Sequence, residues 1–293
     1  MKYAISALPL AAALLVSPGV SAQSKPTDIY VSVVDGKGEA VKGLAAADFR
    51  VREDGVPREV LKVEPATAPL TVALIVDDTQ AATPAIQMIR DGVDSFITAL
   101  SGKAEISVQT FGERPTIQVE YTSDQKALLD GAHRVFPRAG AGGYLLDAIV
   151  EASRGLEKRE PKRPVIVVLM IDRGVEFSNA YYENVLKAVD KAHAALNVIA
   201  LGQTNDSLTD EMRNRNQVVA LGTERTGGRR ENVIALTAAG MKMKQLAGEL
   251  LGQYVVTYAR PERLIPPEKV DVSVTKPDLV ARARTRTGET GAR

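Results

Sequence analysis

A short run of mostly β-branched residues, Leu70–Val76, ends abruptly in Asp77, Asp78 and Thr79. A segment this brief, with no polar–apolar alternation, belongs in the middle of a parallel sheet, covered on both faces. Ligand sites in such sheets gather at the carboxyl ends of the strands. Asp77–Thr79 is therefore the expected functional edge.

The flanking sequence supports that placement. Strands are expected at Thr71–Val76, Glu105–Thr110, Thr116–Tyr121, Val165–Ile171, Asn197–Leu201 and Tyr254–Tyr258, and helices at Pro84–Ser101, Asp124–Val135, Leu145–Glu157, Ala180–Ala195 and Ala238–Leu251. Helical patterns between buried strands indicate α/β layering around a doubly wound, mostly parallel sheet. Glu105–Tyr121, broken by Gly112–Pro115, reads as an antiparallel hairpin at the sheet edge. Gln203–Asn232 reads as a long irregular connection.

Both chain ends have a different period. Asp28–Val34 alternates up to a turn at Asp35–Gly38, and Phe49–Glu53 and Glu59–Val63 flank the turn signal Asp54-Gly55. Near the other end, Val270, Val272 and Val274 also alternate. Neither flank has enough strands to bury a core alone, so the two are expected to build one small β-sandwich-like domain. The expected organisation is an export signal over residues 1–22, an N-terminal β unit over 23–69, the α/β block over 70–259, a C-terminal β unit over 260–286 and a frayed tail over 287–293.

The first 22 residues have the form of a secretory signal: Lys2, an apolar stretch Ala4–Val16 and the small residues Val20–Ala22. The chain is then expected outside the cytoplasm, periplasmic or secreted. No membrane span is expected, because no apolar run reaches ~20 residues. The 293 residues include no cysteine, which excludes disulfides, thiolate metal sites and thiol nucleophiles. Lys and Arg number 37 against 36 Asp and Glu. So even a balance gives no broad electrostatic footprint for nucleic acid or an anionic membrane.

Taken in order, these motifs resemble the von Willebrand factor type A domain. That family places a metal-ion-dependent adhesion site on top of its sheet: Asp-x-Ser-x-Ser after the first strand, a Thr in a later loop and an Asp after the fourth strand. Here the first element is Asp77-Asp78-Thr79-Gln80-Ala81, the second falls at Gly142-Gly143-Tyr144 with Tyr144 at the Thr position, and the third is Asp172-Arg173-Gly174. More narrowly, Val41–Gly55 and Gln253–Pro261 resemble secreted bacterial proteins of the VWFA-related type. The resemblance implies Asp77, Thr79 and Asp172 as remaining oxygen donors for Mg²⁺ or Ca²⁺. Ala81 supplies no oxygen and Tyr144 is too bulky to replace a Thr, so the metal site is expected to be degenerate. Loss of even an outer-shell partner costs ~10–100-fold in metal affinity.

Other constellations are weaker. Gly140–Gly143 precedes a helix and could cradle phosphate, but lacks the full glycine frame and any Walker lysine. Thr79 stands where an aspartate-nucleophile phosphatase needs a second carboxylate. His133 and His193 fall late in helices, and no serine lies in a nucleophile-elbow context. Arg213, Arg215, Arg225, Arg229 and Arg230 crowd the 203–232 connection, as solvated charge or as a dock for an acidic partner.

The expected function is non-catalytic binding of an extracytoplasmic protein by the sheet top, through Asp77, Asp78, Thr79, Gln80, Gly143, Tyr144, Asp172 and Arg173, without a cofactor. The alternatives are metal-dependent capture of an acidic partner and an exported hydrolase.

Overall fold

The computed structural model describes residues 24–203, 209–262 and 265–285; the expected signal over 1–22 and tail over 287–293 lie outside them. Its centre is β5 (Leu70–Val76), every residue of which is buried. On either side, β6 (Ala104–Thr110) and β8 (Arg163–Ile171) run parallel to it, followed outward from β8 by β9 (Ala195–Leu201) and β10 (Arg230–Val233). β7 (Thr116–Thr122) closes the other edge of this six-stranded sheet, antiparallel to β6, as the hairpin signal implied.

Strand alternation divides the core into two layers. Leu70, Val72, Leu74 and Val76 pack with α1 (Ile86–Leu100), α2 (Gln125–Ala132) and α6 (Ala239–Leu251). Ala73 and Ile75 point the other way, into the layer of α3 (Leu145–Arg159), α4 (Tyr182–Lys191) and α5 (Asp210–Thr226). Fully burying one Val, Leu or Ile stabilises by about 1.5–3 kcal/mol, so a strand buried on both faces anchors both layers. This is the expected α/β fold.

α5 and β10 correct the irregular connection expected over 203–232. The helix starts at Thr209, whose hydroxyl accepts from the Met212 amide at 3.3 Å, and stops at Gly227, which takes φ +70°. Its buried face includes Met212, Arg215, Val219, Gly222 and Thr226. That is regular helical spacing, but three of those five residues are not apolar side chains, which hides the stripe. Gly222 and Gly228 are close-approach positions: a Cβ on Gly228 would stand 1.8 Å from the Leu196 carbonyl oxygen.

The chain ends do combine. β1 (Ser24–Val34), β4 (Val60–Pro65), β11 (Tyr254–Pro261) and β13 (Val280–Ala283) form one antiparallel sheet in the order β13-β1-β11-β4. β2 (Phe49–Glu53), β3 (Val56–Arg58) and β12 (Val270–Val274) form another. Val31, Val33, Phe49, Val51, Tyr254, Val256 and Tyr258 fill the core between them. By sequence position Tyr254–Tyr258 falls in the α/β segment, yet β11 pairs along β1 and β4 rather than joining the six-stranded sheet.

One guanidinium pins both crossings between the two parts. Arg163, 5% exposed, donates to the carbonyls of Ala66 and Ala68 before β5 (3.3 and 2.8 Å) and of Leu250 after the α/β block (2.6 Å). These crossings lie at the Leu70 end of β5. The Asp77 end is ~23 Å away at 3.3 Å per residue, and faces away from them. No helix among the described residues is long and apolar enough to cross a membrane.

Candidate functional site

The carboxyl end of β5 delivers Asp77, Asp78 and Thr79 together, but buries all three at 1–2% exposure. Asp77 Oδ1 accepts from the Thr79 amide (2.9 Å) and hydroxyl (2.7 Å), and Oδ2 from the Ile171 amide at the end of β8 (2.8 Å). Burial raises the Asp77 pKa, the bonds from Thr79 and Ile171 oppose that rise, and the neighbouring Asp78 adds to it.

Asp78 turns to the opposite side and holds two further loops. Its Oδ1 accepts from the Gly112 amide at 2.6 Å, and Oδ2 from Arg138 Nε at 3.1 Å. Its carbonyl also accepts from the Arg138 amide. A Cβ on Gly112 would lie 2.7 Å from Asp78 Oδ1, so this approach requires glycine.

The 138–144 loop is laced between its neighbours. The Gln80 amide donates to the Ala141 carbonyl, and Gln80 Oε1 accepts from Gly140. Gly143 donates to Val175 and accepts from Phe177; Tyr144 donates to Phe111. With the amides of Gly140, Ala141, Gly143 and Tyr144 all engaged inside the protein, the phosphate cradle considered from the sequence is not formed.

After β8, Asp172 is 13% exposed at its side chain, and its Oδ2 is buried without a hydrogen-bond partner. Arg173 turns outward to Gln203. Glu176, 2% exposed, accepts from the Ser178 amide at 3.1 Å. Burial raises its pKa against the opposing effects of Ser178 and Arg215.

Arg215 enters this end from α5 at 3% exposure. Its Nη1 donates to the Gly174 carbonyl (2.7 Å) and Nη2 to the Asp172 carbonyl (2.9 Å), with Asp172 Oδ1 4.0 Å from Nη2. Burial lowers its pKa, while Glu176, Asp172 and Asp77 act in the opposite direction.

The expected contact residues therefore divide. Asp77, Asp78, Thr79 and Gly143 are brought together but enclosed, because backbone amides and packing take up the strand-end groups; they have almost no surface to offer a partner. Gln80 and Arg173 are exposed and Tyr144 is half-buried. Tyr144 immediately precedes α3, its ring 6.3 Å from that of Phe177, and it lines a groove of about 700 Å³ between α3, α4 and the β6–β7 turn. Val175, Phe177 and Tyr181 beside it expose large apolar surface.

The arginine cluster read as a basic loop is dispersed. Arg215 faces the rim, Arg225 pairs with Asp190 at 3.3 Å, Arg229 is buried against Glu231 and Glu249, and Arg213 pairs with Asp210 on its own helix. Sequence reasoning missed Arg215 as a site residue. The cap at Thr209, three residues before Met212, and the Thr226-Gly227 stop were the signals that could have placed it on a helix. Of the histidines, His133 bonds Asp94 at 2.8 Å, and among the described residues neither His133 nor His193 hydrogen-bonds to a rim carboxylate.

Residues 72–175 match the family model of the von Willebrand factor type A domain. By sequence, no curated protein matches the chain. Among solved structures, a von Willebrand factor type A protein from Catenulispora acidiphila aligns over 93% of this chain and 74% of its own, with TM-score 0.51 and 9% identity. Proximal thread matrix protein 1 from the mussel byssus, solved with zinc in its MIDAS motif, aligns over 68% of this chain and 50% of its own, with TM-score 0.53 and 13% identity. Identities this low speak to the fold alone. The sheet order, the loops gathered at the end of β5 and the family match over residues 72–175 converge: the α/β part of this chain has the fold of a von Willebrand factor type A domain, a module that commonly mediates protein–protein interaction.

Proposed function

We propose that the chain is an exported, non-catalytic protein-binding module whose sheet-top loops contact their partner without a metal ion. The observation that carries this is the state of Asp77. Each of its oxygens is already held by a protein donor, and Thr79, the hydroxyl beside it, is turned onto it. Mg²⁺ takes near-octahedral oxygen coordination and Ca²⁺ six to eight oxygens. Ala81 brings none, and the Tyr144 ring lies beside Phe177 at the mouth of a groove. Asp77, Thr79 and Asp172 alone do not fit either ion.

Contact then falls to the exposed part of the rim. Tyr144, Phe177 and Val175 form an apolar surface with Gln80 and Arg173 nearby in the same set of loops. Aromatic side chains are the commonest energetic anchors of protein interfaces. Export rests on the signal-like residues 1–22, and amino-terminal sequencing of the mature protein should begin at Gln23.

The test is crosslinked pull-down from the envelope of the producing cell, with wild type, Tyr144→Ala and Phe177→Ala, each with and without EDTA. The proposal expects a partner retained in EDTA and lost with either substitution. Equal recovery by all three proteins would contradict the sheet-top surface. Recovery abolished by EDTA would favour metal-dependent capture of an acidic partner through Asp77, Thr79 and Asp172.

A further inference from the structure

Three carboxylates, Asp77, Asp172 and Glu176, are withdrawn from solvent at one end of the sheet. Unpaired buried charge is costly, and an occupied rim of this kind would offset it with a divalent ion. Among the described residues no ion pair reaches Asp77 or Glu176, and Arg215 is the one cation within 4.0 Å of Asp172. Arg138 is committed to Asp78 and Glu113, and Arg173 faces Gln203.

We propose that Arg215 is an internal cation: its guanidinium, inserted from α5 beneath the strand ends, does for Asp77, Asp172 and Glu176 the electrostatic work that a metal ion does at an occupied rim. This rests on the reading that the rim does not hold a divalent ion. The geometry suits the role. Two nitrogens of the guanidinium hold the carbonyls of Gly174 and Asp172, fixing the 172–174 turn, while its charge lies 4.0 Å from Asp172 Oδ1 and within electrostatic reach of Glu176 and Asp77. An arginine can do both because its five donors are rigidly arrayed and its charge is not lost on burial, whereas a buried lysine readily deprotonates. Apart from Met212, the first half of α5 (residues 210–217) is polar, yet this long cationic side chain is placed on its inner face, where Met212 and Val218 are buried. The consequence is a rim that is shaped before any partner arrives, with Val175 and Phe177 presented by a turn fastened from within rather than by a dissociable ion.

A double-mutant cycle in the full chain tests this, using thermal melts of wild type, Arg215→Met, Glu176→Gln and the double variant, each with and without millimolar Mn²⁺. Removing Arg215 should lower the Tm by at least about 6 °C. Glu176→Gln should recover part of that loss in the double variant, because one uncompensated charge is gone. Mn²⁺ should leave wild type unmoved. Additive effects in the cycle would place the role of Arg215 in its carbonyl hydrogen bonds and overturn the proposal. A wild-type Mn²⁺ shift would overturn the metal-free rim itself, and this one outcome identifies that failure. Should Arg215→Met not fold, the double variant must; refusal of both to fold counts against the proposal.

Discussion

Asp78→Ala should loosen the sheet top more than any surface substitution there. The carboxylate is 2% exposed and ties β5 to two loops, through the Gly112 amide at 2.6 Å and Arg138 Nε at 3.1 Å. The two bonds are not equal. Gly112 is buried, so its amide loses its acceptor with no water to replace it, at a cost of about 1–3 kcal/mol. Arg138 is 34% exposed and can turn to solvent, so its pair contributes about 0–1 kcal/mol. The sum is about 1–4 kcal/mol, and at ~2–4 °C per kcal/mol for a chain of this size the Tm should fall by roughly 2–16 °C. Asp78→Asn separates the two contributions, since its amide oxygen can still accept from Gly112 while the ion pair is gone. It should cost about 1 kcal/mol or less. Calorimetric melts of both variants give the comparison, and hydrogen exchange should quicken at residues 112–114 and 138–142 in the alanine variant. If Asp78→Asn is as damaging as Asp78→Ala, charge and not the buried amide bond dominates, and the reasoning fails.

Gly142→Ala should leave stability within about 1 kcal/mol yet weaken partner capture, because the new Cβ would lie 2.1 Å from the exposed Phe177 ring and turn it aside; melts and pull-down together check it. For Glu176 the folded pKa lies above the ordinary 4.5, so the native state binds more protons than the unfolded chain between those values. The stability of wild type relative to Glu176→Gln should therefore fall as pH rises from 4.5, as measured by urea unfolding; a difference independent of pH would contradict the raised pKa. Tyr254→Phe should cost about 1–3 kcal/mol in the same assay, because its buried hydroxyl serves both the Val41 carbonyl (2.9 Å) and the Leu44 amide (3.2 Å).

The α/β architecture was legible in the sequence because apolar side chains carry its periods. Leu70–Val76 is apolar on both faces and is buried on both, and Val270–Val274 alternates and pairs at the edge of a two-sided core. Legibility failed where burial is not written in apolar residues. The inner stripe of α5 is Met212, Arg215, Val219, Gly222 and Thr226, and five arginines across residues 203–232 imitate a solvated basic loop. The same limit governs the site. The strand-end position of Asp77–Thr79 could be derived, but not their enclosure, which depends on amides of Gly112 and Ile171 far along the chain. Glu176 lies in the loop after Asp172, and from sequence a carboxylate in a loop reads as solvated. Only the placement of Arg215 beside the 172–174 turn shows what shares its burial.

The most direct test of a rim neutralised from within is anomalous diffraction from crystals of the wild-type chain grown in millimolar Mn²⁺. The account predicts no manganese peak between Asp77, Thr79 and Asp172, with the Arg215 guanidinium seated on the carbonyls of Gly174 and Asp172. An ordered manganese ion coordinated by those three residues would contradict it.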